Sequence, residues 1–184
     1  MNAPLLDAAA EVETSLQEMK LRFCFIGGIA VQRWGEPRNT LDLDLTVLAT
    51  FGAKEQVIDP LLDAFTGRIE DSRDFALANR VLLLRTSSGI DIDIALGALH
   101  FEERSIDRAS LWSLGDNAAI TTCSAEDLIV HKAFANRDRD WADVRTIINR
   151  QQDTLNWEQI LDDLTPLTEI KDSPEILEKL NQLR

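Results

Sequence analysis

Four aspartates in two short apolar runs are the residues of this chain best suited by type and spacing to do chemistry: Leu41-Asp42-Leu43-Asp44-Leu45 and Ile90-Asp91-Ile92-Asp93-Ile94. Side chains alternate between the two faces of an extended strand, so Asp42 and Asp44 share one face, as do Asp91 and Asp93, and the leucines and isoleucines line the opposite one. Like charges side by side on a sheet face repel each other, and a divalent cation is the simplest thing that offsets the cost. Mg²⁺ suits such a site, because it takes carboxylates, waters and substrate phosphates in preference to an all-protein cage. Ahead of the first acidic run, Gly27-Gly28 closes a short apolar segment and opens a helix-like one. Amides at a helix start with no side chain in the way can face an anion, which makes this a phosphate cradle. A tight turn alone would explain a glycine pair, and a solvated strand edge would explain one D-x-D. Neither accounts for glycines and two acidic strands together.

The elements that must position these residues follow from periodicity. Residues 5–20 carry Leu5, Ala9, Val12, Leu16 and Met19 at helical spacing. Residues 22–26 read as a buried strand, and 30–34 as a helix stopped by Gly35-Glu36-Pro37. Residues 54–65 have a helical stripe in which Pro60 predicts a kink or a division. Residues 81–85 and 90–96 flank Thr86-Ser87-Ser88-Gly89 and should form an antiparallel hairpin; a second hairpin is expected in 111–121 around Gly115-Asp116-Asn117. Ser124-Ala125-Glu126-Asp127 fits a capping box opening a helix to about residue 136, with the Asp127 side chain reaching back. Further helices are expected through Trp141 and Ile148, over 157–164, and after Ser173-Pro174-Glu175. Trp34, Trp112, Trp141 and Trp157 are expected on buried helix faces. The reading is an α+β fold, a mixed sheet flanked by helices, with residues 1–123 as the core and 124–184 as a helical region packed on it.

With 184 residues, 45% of them hydrophobic and 28% charged, the chain can bury a sizeable core. Its net charge of −13 argues against a broad nucleic-acid grip, which needs Lys and Arg to neutralise phosphates. The two cysteines, Cys24 and Cys123, lack the spacing of a zinc site and read as reduced core thiols. Neither a signal peptide nor a membrane-length apolar run is found, so a cytoplasmic protein with no membrane partner is expected.

Gly27-Gly28-Ile29-Ala30, Arg38-Asn39-Thr40-Leu41-Asp42-Leu43-Asp44 and Ile92-Asp93-Ile94 together resemble the nucleotidyltransferase superfamily that includes DNA polymerase beta. Glu126-Asp127-Leu128-Ile129, Lys132-Ala133, Arg137-Asp138-Arg139-Asp140 and Asp143 are similar to the helical signature of minimal bacterial nucleotidyltransferases of the AbiEii type. The resemblance implies transfer of a nucleoside monophosphate from an NTP to a hydroxyl of RNA, a protein or a small molecule. Asp42, Asp44 and Asp93 would be catalytic and would hold Mg²⁺, with Asp91 an alternative third carboxylate. Gly27, Gly28, Arg38 and Lys132 would bind the triphosphate, and Asp140 and Asp143 would orient the basic side chains. An antitoxin protein is the implied partner. Antibiotic-modifying transferases of the lincosamide or aminoglycoside kind carry a similar pattern, and a non-catalytic nucleotide- or partner-binding module on the same fold is a third reading.

Overall fold

A computed structural model describes residues 3–50, 52–115 and 118–184. Two compact units make up the chain: Met1–Ile29 with Asn39–Cys123, and Ala30–Arg38 with Ser124–Arg184.

The first unit is built on a seven-stranded mixed sheet of order β3-β4-β5-β2-β1-β7-β6. Its strands are β1 (Phe23–Phe25), β2 (Asp42–Leu48), β3 (Thr66–Gly67), β4 (Val81–Arg85), β5 (Asp91–Gly97), β6 (Ser110–Gly115) and β7 (Ala118–Thr122). The two expected hairpins form, β4 with β5 and β6 with β7, both antiparallel. Asp116 and Asn117 of the second turn lie outside the described residues. The pairing that matters most is β2 with β5, which is parallel and sets Asp42 beside Asp91, Leu43 beside Ile92 and Asp44 beside Asp93. Paired residues point the same way, so the acidic faces of both strands merge into one and the apolar faces into the other.

The apolar face is the core. Leu43, Leu45, Ile92 and Ile94 are fully buried and join Phe25, Leu82 and Leu84 in one cluster with Leu5, Val12 and Leu16 of α1 (Ala3–Glu18) and Ile58 and Leu61 of α3 (Glu55–Ala64). Each fully buried side chain of this size contributes about 1.5–3 kcal/mol, so this face can hold the strands together against repulsion on the other. The α3 helix runs through Pro60 undivided. A proline there forfeits one hydrogen bond, while Val57, Ile58 and Leu61 anchor it on both sides. Two short helices complete this unit, α4 (Ser72–Asn79) and α5 (His100–Asp107).

The second unit is helical. It takes the end of α2 (Gly27–Trp34), a helix whose first residues belong to the sheet unit. It continues with α6 (Ala125–Ala135), α7 (Asp138–Gln151), a 3-10 turn Gln152–Thr154, α8 (Trp157–Lys171) and α9 (Glu175–Asn181). Ser124 caps α6 by accepting from the Asp127 amide at 3.1 Å, and its hydroxyl donates to the Asp127 carboxylate at 2.8 Å. The Asp127 side chain therefore engages the cap's hydroxyl. α8 continues past Pro166 well beyond the expected end, because Leu164, Leu167 and Thr168 are buried on either side of it. Of the four tryptophans only Trp141 is fully buried; Trp34, Trp112 and Trp157 are half-buried, and Trp112 lies on β6 rather than a helix. No helix among the described residues is long and apolar enough to cross a membrane.

Candidate active site

The acidic face of β2 and β5 meets the start of α2 within the sheet unit. Gly27 adopts a φ of +60°, and a Cβ there would lie 1.9 Å from Asp44 Oδ2. At Gly28 a Cβ would lie 2.3 Å from the Thr40 hydroxyl. Both glycines are thus required sterically: the first lets the helix start turn against Asp44, and the second makes room for Thr40. The Gly28 amide donates to Asp44 Oδ2 at a long 3.4 Å. The cradle amide that the sequence aims at a phosphate here faces a carboxylate of the chain itself.

Asp42, Asp44 and Asp93 share the face that the sequence assigns them, with Asp44 and Asp93 directly paired. Each is tied to a different neighbour. The Thr40 hydroxyl donates to Asp42 Oδ1 at 2.9 Å, Asp44 leans on the Gly28 amide, and Arg68 Nη2 lies 2.7 Å from Asp93 Oδ1. Among the described residues no three His, Cys, Asp or Glu side chains converge closely enough to hold a metal ion. The expected ring of carboxylates is aligned along the two strands but not drawn together. The donor set nevertheless suits Mg²⁺, since all three are hard oxygen ligands on one face. Asp93 Oδ1 is also buried without a hydrogen bond, because the Arg68 contact is a close ion pair that is not aligned along an N–H.

Asp91 is placed differently from Asp93. Arg85 Nε donates to its Oδ1 at 2.6 Å, and Arg68 Nη1 is 3.1 Å from its Oδ2. The hydrogen bond from Arg85, reinforced by the charge of Arg68, holds the Asp91 carboxyl below the usual carboxylate range against the opposing effect of burial. Among the described residues, Asp91 is the anchor of two arginines, while Asp93 pairs with Arg68 and keeps an oxygen lacking a hydrogen bond.

The other sequence-marked residues, Arg38 and Lys132, lie in the helical unit. Arg38 grips Asp143 with a two-pronged contact of 2.7 and 2.8 Å. Lys132 Nζ sits between Asp140 Oδ1 at 3.1 Å and Asp143 Oδ2 at 2.9 Å, and Arg137 Nε reaches Asp140 Oδ2 at 2.6 Å. The side chains of Lys132, Asp140 and Asp143 are 8%, 2% and 4% exposed, so this is a buried ion cluster. Burial works against the charged form of both aspartates, yet Arg137 with Lys132 at Asp140, and Arg38 with Lys132 at Asp143, hold their carboxyls below the usual range. The two aspartates thus pair with the basic side chains that the resemblance assigns them to orient.

A family model described as "Nucleotidyl transferase AbiEii toxin, Type IV TA system" matches residues 12–164, most of the chain. This chain belongs to the AbiEii nucleotidyltransferase family. No curated protein matches it at a significant level. Among solved structures, the AbiEii-family chain is similar to the antibiotic-resistance factor ANT(2'')-Ia, with a TM-score of 0.61, 12% identity and all of both chains covered. It is also similar to an antigenic nucleotidyltransferase-like protein from Paracoccidioides brasiliensis, with a TM-score of 0.55, 16% identity, and 98% of this chain and 93% of that one covered. A third similarity is to the lincomycin-bound lincosamide antibiotic adenylyltransferase LnuA, with a TM-score of 0.50, 16% identity, and 80% of this chain and 96% of that one covered. At these identities the likeness is one of fold.

Sequence reasoning missed Arg68 and Arg85 in this AbiEii-family chain. A signal for Arg85 existed: the expected hairpin register places it opposite Asp91, on the acidic side. Arg68 had none, since it follows the two-residue strand β3 and reaches across β4 to β5.

Proposed function

We propose that this chain transfers a nucleoside monophosphate from an NTP to an acceptor hydroxyl, releasing pyrophosphate, with Mg²⁺ as the cofactor. One observation carries the reading: parallel pairing of β2 and β5 sets Asp44 beside Asp93, while Gly27 and Gly28 keep the start of α2 against the same carboxylate. Asp42, Asp44 and Asp93 would hold the metal, which when bound neutralises and orients the triphosphate. Asp93 is, on the family resemblance, the carboxylate proposed to help take the proton of an acceptor hydroxyl. The Thr40 hydroxyl fixes the rotamer of Asp42. Gly27, Gly28, Arg38 and Lys132 are proposed substrate-binding residues on the family resemblance. Such chemistry needs positioning and charge neutralisation more than covalent participation by the protein.

Family membership supports a role as the toxin of a toxin-antitoxin pair, with an antitoxin as partner. The test is incubation with each labelled NTP, Mg²⁺ and cell extract, with the wild type beside Asp44→Ala. Label in RNA or protein that disappears in the variant is the expected result. Label confined to a small-molecule fraction would move the assignment to an antibiotic-modifying transferase. Tight NTP binding without transfer to any fraction would reduce the chain to a nucleotide-binding module.

A further inference from the structure

The acidic face carries its own counter-cation, and the geometry points to a role for it: we propose that Arg68 is a positioning residue that occupies the Asp91 and Asp93 carboxylates and competes with a divalent cation for Asp93. The inference rests on the metal-dependent reading given above.

Arg68 spans the two strand positions that flank Ile92, with Nη1 3.1 Å from Asp91 Oδ2 and Nη2 2.7 Å from Asp93 Oδ1. Its side chain is only 21% exposed. The backbone that delivers it is well defined. The Arg68 amide donates to the Leu83 carbonyl at 3.0 Å, which pins the chain just after β3 to β4. The next turn is closed by Ser72, whose hydroxyl donates to the Ile69 carbonyl at 2.7 Å and accepts from the Ile69 amide at 3.2 Å. Gly67 is needed for that turn, because a Cβ there would lie 2.7 Å from Ser72 Oγ. A guanidinium so delivered is not a surface charge that happens upon a carboxylate.

The two contacts differ in what they leave available. Asp91 has Arg85 as a second partner, at 2.6 Å, and its ion pair with Arg68 is one of two. Asp93 Oδ1 is buried, takes no aligned hydrogen bond and has Arg68 as its ion-pair partner. A cation binding at Asp93 therefore displaces one prong of Arg68 while Asp91 retains the other, so the arginine swings without being cast loose. Arg85 cannot do the same, since its ion pair is with Asp91.

The experiment is Mn²⁺ binding to the full chain, followed by electron paramagnetic resonance and by calorimetry, for wild type, Arg68→Gln, Arg68→Lys and Asp44→Asn. Arg68→Gln should bind Mn²⁺ about three- to fivefold more tightly than wild type, the scale set by a partly exposed ion pair. Arg68→Lys keeps the charge but not the fork and should fall between them, which also covers the case that Arg68→Gln folds poorly. Asp44→Asn should weaken binding. If Asp44→Asn weakens binding while both Arg68 variants match the wild type, Arg68 does not compete and the proposal fails with the metal site intact. If no variant binds Mn²⁺, the metal-dependent reading fails and takes this proposal with it.

Discussion

Two groups of charges in this protein look alike in the sequence and are built on opposite principles. On the β2–β5 face, Asp91 and Asp93 meet two guanidiniums, Arg68 and Arg85, and are 34% and 38% exposed, while Asp42 and Asp44 lie beside them. In the helical unit, Asp140 and Asp143 meet Arg38, Lys132 and Arg137, and the carboxylates are 2% and 4% exposed. The buried group is compensated by its own partners. The sheet face brings four carboxylates to one side of two adjacent strands and is partly open to solvent, so it has both the capacity and the access to take a further cation. An excess of carboxylates at a half-exposed site is the mark of a place prepared for something else, whereas buried carboxylates each held by two cations mark a fastening.

The contrast can be broken by removing one carboxylate from each group. Asp143→Ala strips Arg38 and Lys132 of a buried partner and should cost about 3–5 kcal/mol in urea unfolding. A cost near that of a surface pair, under about 1 kcal/mol, would show that the cluster is not a fastening. Acid should remove the same contribution. The Asp140 and Asp143 carboxyls titrate below their unfolded values, so their stabilisation is present above about pH 4 and lost as pH falls through the lower folded values. The stability gap between wild type and Asp143→Ala should accordingly narrow on acidification below about pH 4, and a constant gap would contradict the assignment. Asp93→Asn should have the smallest effect, within about 0.5 kcal/mol, because losing the ion pair with Arg68 is offset by relief of repulsion from Asp44. A large loss there would make the sheet face structural too.

Much of this was legible in the sequence, and for identifiable reasons. Alternation around Asp42, Asp44, Asp91 and Asp93 gives both acidic strands and their core faces, because a strand with one buried side leaves no choice of which residues point inward. The glycine pair announces a helix start. Short elements escaped: α4 and α5 are eight residues each, β3 is two residues long, and the reach of α8 past Pro166 depends on burial of Leu167 and Thr168 that local pattern does not show. The site itself was half legible. Carboxylates and glycines sit in motifs, but Arg68 gains its place from a turn and a strand crossing that no spacing rule encodes, and the separation of Asp42, Asp44 and Asp93 onto three different neighbours is a matter of side-chain partners alone.

The parallel register of β2 and β5 also bears on how the molecule assembles. The β4–β5 hairpin closes a four- or five-residue turn, while β2 can reach β5 only after the chain carrying α3, β3, α4 and β4 has folded back on itself. Closing that loop is entropically the dearer step and is therefore the later one. Asp44 comes to lie beside Asp93 in that same pairing, so added salt, which screens their repulsion, is expected to speed refolding, as stopped-flow measurements across ionic strengths would show.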